Sequence, residues 1–141
     1  MTEKRFTSIG THLMGEEADL SIIILHGVVE SEHLAAMHPR SVAMFRRHGY
    51  VLTLIDATDA KSMTQEARRL GAELNRKSPI LSATAIYGAS LFTRTLATLL
   101  WRAVSLMADG TFDLAFYKTE SDARVWLGAQ RNKLRATAAP A

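Results

Sequence analysis

Cysteine is absent from all 141 residues. A disulfide framework, thiolate zinc sites, iron–sulfur clusters and a nucleophilic thiol are all excluded by that one absence. The N-terminal stretch MTEKRFTSIG lacks the apolar core of about 7 to 15 residues that an export signal requires, so a cytoplasmic protein is expected. A transmembrane span is excluded as well, because Arg94 and Arg102 interrupt the longest apolar stretch and would lie within hydrocarbon. No basic stripe with interleaved aromatics is present, which argues against a nucleic-acid partner. Histidines 12, 26, 33, 38 and 48 show no i, i+4 pair with a carboxylate, so no metal site is expected. Ser90, His26 and Asp56 all fall near strand ends, but the GAS around Ser90 is not a GxSxG elbow and no triad can be nominated. The reading is therefore non-enzymatic, with no catalytic residue, no metal and no cofactor.

What is present is an ordinary globular composition: 48% apolar residues, 22% charged and a formal charge of +3. The length suits one domain. It is placed over residues 1–134, with the small and polar RATAAPA tail, 135–141, expected to be disordered. The basic excess lies at helix ends, where Arg46, Arg47, Arg76 and Lys77 meet the negative end of the helix dipole.

Along the chain, THLMG and DLSIIILHG flank an acidic turn and read as a hairpin, the run Ile22 to Leu25 being apolar enough for burial on both faces. Ser31 can cap a helix that Pro39 interrupts, giving a kinked helix or two short ones that stop at Gly49. YVLTLID is a second buried strand ending at Asp56, and ATDAK reads as the loop after it. Ser62 and Gln65 have capping-box spacing, which predicts a helix from Met63 with Met63, Ala67, Leu70 and Leu74 turned inward. SATAIYG is the next strand, and Ser90 then caps a long helix. Its apolar arc holds Phe92, Leu96, Leu99, Leu100, Ala103, Val104, Leu106 and Met107, while Leu91, Arg94, Thr98, Trp101 and Arg102 lie on the opposite side. FDLAFYK is the last strand, and Thr119 begins a final helix that buries Ala123, Trp126, Leu127 and Leu134. The order β-β-α-β-α-β-α-β-α predicts an α/β fold with a mixed, mostly parallel sheet of about five strands and four helices.

Three stretches, EARRL at Glu66 to Leu70, YGASLFTRTLATLLWRA at Tyr87 to Ala103 and FYKTESDARVWL at Phe116 to Leu127, resemble the SpoIIAA-like family of STAS-related bacterial domains. That resemblance implies a STAS-like, CRAL-TRIO-like sheet and a regulatory module working through protein or lipid contacts. It also implies a phosphorylatable turn after the third strand. Here that turn reads Asp56-Ala57-Thr58-Asp59, with Ala57 where the family has serine and Asp59 where it has glycine, leaving Thr58 and Ser62 as the nearest hydroxyls.

Two sets of residues follow. Asp56, Thr58, Asp59, Ser62, Gly88 and Ser90 form the candidate ligand or phospho-switch loops, because open α/β sheets place ligands at the carboxyl ends of their strands. Leu91, Arg94, Thr98, Trp101 and Arg102 form the candidate partner face, through which a protein partner or a second copy in a homodimer would bind, since large apolar side chains facing water mark contact surfaces. A lipid or other apolar ligand is the alternative, with Met37, Met44, Met63 and Met107 lining a cavity instead of filling it.

Overall fold

A computed structural model describes residues 5–77, 80–95, 98, 99, 102 and 112–138. Six strands form one sheet: β1 (Arg5–Ile9), β2 (His12–Glu17), β3 (Leu20–Val29), β4 (Val51–Met63), β5 (Ser82–Tyr87) and β6 (Phe112–Tyr117). Their spatial order is β1-β2-β3-β4-β5-β6. The helices are α1 (Ser31–His48), α2 (Gln65–Lys77), α3, described at residues 91–95, 98, 99 and 102, and α4 (Glu120–Ala138). β1, β2 and β3 pair antiparallel, and β3 through β6 pair parallel. The two greasy runs lie side by side at the centre, Ile22 against Leu54 and Ile23 against Ile55.

The parallel crossovers all step the same way across the sheet. Right-handed connections of that kind put their helices on one face. There α1 sets Met37 and Leu34 against Ile23, Leu25 and Ile55, while Met44 packs with Val51 and Ile80. The opposite face, built from Leu20, Ile22, Leu52, Leu54, Ala83 and Ala85, is covered by Ala123, Leu127 and Leu134 of α4. Trp126 packs half-buried beside them, its ring 6.3 Å from that of Tyr117.

Several sequence expectations change. The sheet has six strands and not five, because RFTSI folds back at Gly10 (φ 59°) onto β2 as an edge strand. A short edge strand with one buried residue, Ile9, carries little hydrophobic pattern. α1 is one helix with Pro39 inside it, and Glu30, not Ser31, is its N-cap. His33 Nδ1 accepts from the Glu30 N–H at 2.9 Å, so the reciprocal half of a capping box ties the first turn.

The largest departure is β4, which runs on through the expected ATDAK loop to Met63. From Ile24 to Val29 β3 advances five residues while its partner advances seven, from Asp56 to Met63, across two register shifts. Bulges of this kind keep a strand paired through polar residues that read as a loop. The helix that follows is therefore capped by Thr64, whose Oγ1 accepts from the Ala67 N–H at 3.1 Å, and not by Ser62; Met63 belongs to the strand. Gly49 ends α1 at φ 81°, its N–H donating to Phe45 O at 2.7 Å, as a left-handed C-cap does. α4 continues past 134 to Ala138, so most of the expected tail is helical; residues 139–141 lie outside the described set.

Two groups hold the β2–β3 turn to α4. Asp19, buried, accepts Arg131 Nε and Nη2 at 2.7 Å each and the Tyr50 hydroxyl at 2.7 Å. Burial alone would raise the Asp19 carboxyl, but the hydrogen bonds from Arg131 and Tyr50 outweigh it and hold the group below its usual range. Beside it Arg124 reaches Glu17 at 2.6 Å and Glu120 at 2.8 Å.

Candidate functional site

The alternation of β3, β4 and β5 decides which side chains face α1 and α2. Successive rows on that face are Ser21, Thr53 and Thr84, then Ile23, Ile55 and Ile86, matched in register across the three strands. α1 and α2 do not close completely over these rows. A cavity of about 320 Å³ lies between sheet and helices, lined mostly by apolar side chains including Met37 and Met63. That volume is at the lower end of the range for small-molecule pockets, about 300 to 1,000 Å³.

Of the four methionines expected to line such a space, Met37 and Met63 do. Met44 is fully buried in the packing beneath α1, a correction to its proposed lining role, and Met107 lies outside the described residues. Polar groups on the cavity wall are Thr53, Ser62, Ser82 and Thr84 from the sheet, His38 and Ser41 from α1, Asn75 from α2 and Thr93 from α3. Sequence reasoning missed Asn75: a lone asparagine near a helix end carries no motif.

The expected ligand or phospho-switch loops are largely strand. Asp56, Thr58, Asp59 and Ser62 all belong to β4, so no turn forms at Asp56-Ala57-Thr58-Asp59 and no hydroxyl there sits at a helix start. Asp56 Oδ1 accepts the Thr58 N–H at 3.0 Å. Asp59 Oδ2 lies 3.3 Å from His26 Nδ1 on the exposed surface, so His26 partners Asp59 and not Asp56. Gly88 (φ 74°) abuts Thr58, and a Cβ there would collide with Thr58 Oγ1; these two loops do meet. Ser90 accepts the Thr93 N–H at 3.2 Å as an N-cap, which occupies its hydroxyl in helix initiation. Of this set only Ser62 lines the cavity.

On α3, Leu91 is 80% exposed and Arg102 is exposed, as expected, while Thr98 is half-buried. Trp101 lies outside the described residues. Phe92 and Leu99, expected inward, are 60% and 54% exposed. At these described positions the amphipathic reading does not hold: Thr93 faces the cavity, and the Arg94 guanidinium sits 5.5 Å above the Phe116 ring of β6, a cation–π contact. The start of α3 therefore presents an apolar surface outward.

Two further clusters are structural. Glu30, Glu32 and His33 bring ligand atoms within 4.8 Å of one another, but His33 already serves the α1 cap. His12 is fully buried at the start of β2. Its Nδ1 accepts the His26 N–H at 3.0 Å and its Nε2 faces Val28 O at 3.1 Å, which assigns the neutral Nε2–H tautomer. Thr11 donates to His26 O at 2.7 Å. Together these side chains replace the strand that β3 lacks beyond His12, bonding main-chain groups of residues 26 and 28 that point to the same edge. Burial pushes the His12 pKa below its ordinary 6.5, and the neighbouring His33 and His26 push the same way. On the α4 side, burial and the charges of Asp56 and Glu120 push the Tyr87 phenol up and keep it protonated.

A crystal structure of an uncharacterized protein of the DUF3478 family from Shewanella loihica PV-4, described as having a SpoIIAA-like fold, superposes with a TM-score of 0.58 at 18% identity, over 89% of this chain and 92% of that one. The chain has a SpoIIAA-like fold. No family model and no curated protein matches the sequence. At this identity the likeness carries the architecture, and function must be argued from the surfaces and cavity above. No helix among the described residues is long and apolar enough to cross a membrane.

Proposed function

We propose that this SpoIIAA-like domain is a non-enzymatic binding module that takes a small apolar molecule between its sheet and the α1–α2 layer. The observation that carries this reading is the cavity of about 320 Å³ with an apolar wall. Protein interiors are packed nearly without voids, and an apolar recess of this size beneath two helices is of the kind that receives small ligands. Phosphoswitching by the STAS route has less support, since the residues that would form the switch turn are paired strand. The test is displacement of a neutral fluorescent probe, N-phenyl-1-naphthylamine, together with native mass spectrometry of protein purified from cells. Probe uptake that Ala57→Phe abolishes without altering circular dichroism supports the reading; no uptake by the wild type refutes it.

A second reading rests on a different observation, the exposure of Leu91, Phe92 and Leu99 on α3. Three large apolar side chains on one short stretch suit a protein partner or a second copy of the chain. Phe92→Glu then moves the sedimenting species to a smaller one, and an unchanged monomer in both proteins removes the homodimer.

A further inference from the structure

The cavity wall is not uniform. Its floor carries a polar row, Thr53 and Thr84, followed by the apolar row Ile23, Ile55 and Ile86. Asn75, in the last turn of α2, lines the same cavity.

Asn75 Nδ2 is buried and has no hydrogen-bond partner among the described residues. Ser21, beside Thr53 in register, also has a buried hydroxyl without a partner among the described residues. Buried polar groups in folded proteins are almost always satisfied, and an orphan on a cavity wall calls for a group that enters the cavity. The wall also limits the charge of that group. Among the described residues no Lys, Arg, Asp or Glu lines the cavity, and His38 is the one titratable side chain on its wall. A charged head would be desolvated there without a counter-charge.

We propose, resting on the apolar-ligand reading above, that the cavity receives an uncharged amphiphile. Its hydroxyl or carbonyl oxygen accepts a hydrogen bond from Asn75 Nδ2, and its apolar body lies along Ile23, Ile55 and Ile86. The ligand class is thus a neutral alcohol, ester or amide of a short hydrocarbon, held in one orientation.

Displacement of N-phenyl-1-naphthylamine by 1-octanol, octane and octanoate, on the wild type and on Asn75→Leu, tests this. Asn75→Leu weakens 1-octanol by about tenfold, the worth of one well-made hydrogen bond, and leaves octane unchanged or tighter. Equal effects on 1-octanol and octane, or none on either, overturn the role of Asn75 while leaving the cavity reading intact. Octanoate binding the wild type more tightly than 1-octanol overturns the neutral head. Failure of the probe and all three molecules to bind overturns both readings. Should Asn75→Leu not fold, the wild-type protein decides the matter: the Asn75 side-chain amide resonances move with 1-octanol and stay still with octane, and the reverse pattern refutes the assignment.

Discussion

Replacing His12 with leucine keeps a buried side chain of similar size but removes both bonds from the edge of β3. The His26 N–H and the Val28 carbonyl each lose a partner. A fully buried orphan costs about 1 to 3 kcal/mol, and because His26 is half-buried and Val28 is 40% exposed, water recovers part of that. The sum expected is about 2 to 3 kcal/mol, or a melting point lower by roughly 6 to 12 °C for a domain of this size.

The effect also depends on pH, with a definite sign. Folding holds His12 neutral, because protonating Nδ1 would point an N–H at the His26 N–H. The groups facing it, His26 on β3 and His33 on α1 with its ring 4.6 Å away, add repulsion when charged. The folded pKa therefore lies below the ordinary 6.5. The unfolded chain binds the extra proton first, so the stability contributed by neutral His12 is complete above pH 6.5 and is lost as pH falls below it, by at most about 1.4 kcal/mol per unit. Urea unfolding of both proteins at pH 7.5, 6.5 and 5.5 reads this directly. The gap between wild type and His12→Leu narrows as the solution is acidified. A gap that stays constant, or a variant as stable as the wild type at pH 7.5, refutes the tautomer and the edge-bonding role together.

Arg131→Met leaves the Asp19 carboxylate buried with Tyr50 and only a distant Arg135 at 3.9 Å. The loss expected by urea unfolding at pH 7 is about 2 to 3 kcal/mol, discounted from the fully buried value because Arg131 is partly exposed. Asp19 is held below 3.8 in the fold, so its contribution is present above that pH and disappears as acid titrates it; the acid limb of the wild-type profile flattens in the variant. Ala18 occupies the first central position of the two-residue β2–β3 turn at φ 55°, a left-handed conformation suited to glycine, and Ala18→Gly raises stability by about 1 kcal/mol in the same assay. Gly128 sits inside α4 with open space where a Cβ would go. Gly128→Ala gains roughly 0.5 to 1 kcal/mol of helix propensity, read as a higher melting point, and a lower one refutes the open space at that position.

What the sequence made legible was whatever depends on local chemistry or on strong burial. Ser90 and Thr119 cap their helices with hydroxyls accepting amides three residues on, and the apolar runs of β3 and β4 could only be central. What it concealed was set by partners far along the chain. The polar residues of β4 after Ala57 look like a loop until β3 supplies bonding groups opposite them. Glu30 became a cap because His33 reached back to it, a role in which serine is the usual expectation. Of the apolar arc read for α3, the two members described, Phe92 and Leu99, came out exposed, and Arg94 found an aromatic ring on β6, a contact no local pattern announces. Two of the methionines read as lining a cavity, Met37 and Met63, do line it, but its polar wall had no sequence signature, because that is a property of how helices seat on a sheet, and Asn75 acquires meaning only once it is seen beside that space.

The sheet places its strands in the sequence in which a ribosome emits them. Each new strand joins the rim left by the one before it, and none must be threaded between neighbours already paired. Assembly of this sort closes no loop longer than one strand–helix–strand crossover. It leaves one broad oily flank bare until α4 arrives. α4 is thus the latch of the domain, and a nascent or truncated product ending before Glu120 would carry Leu20, Leu52, Leu54 and Ala85 open to water, the state most prone to sticking to other chains.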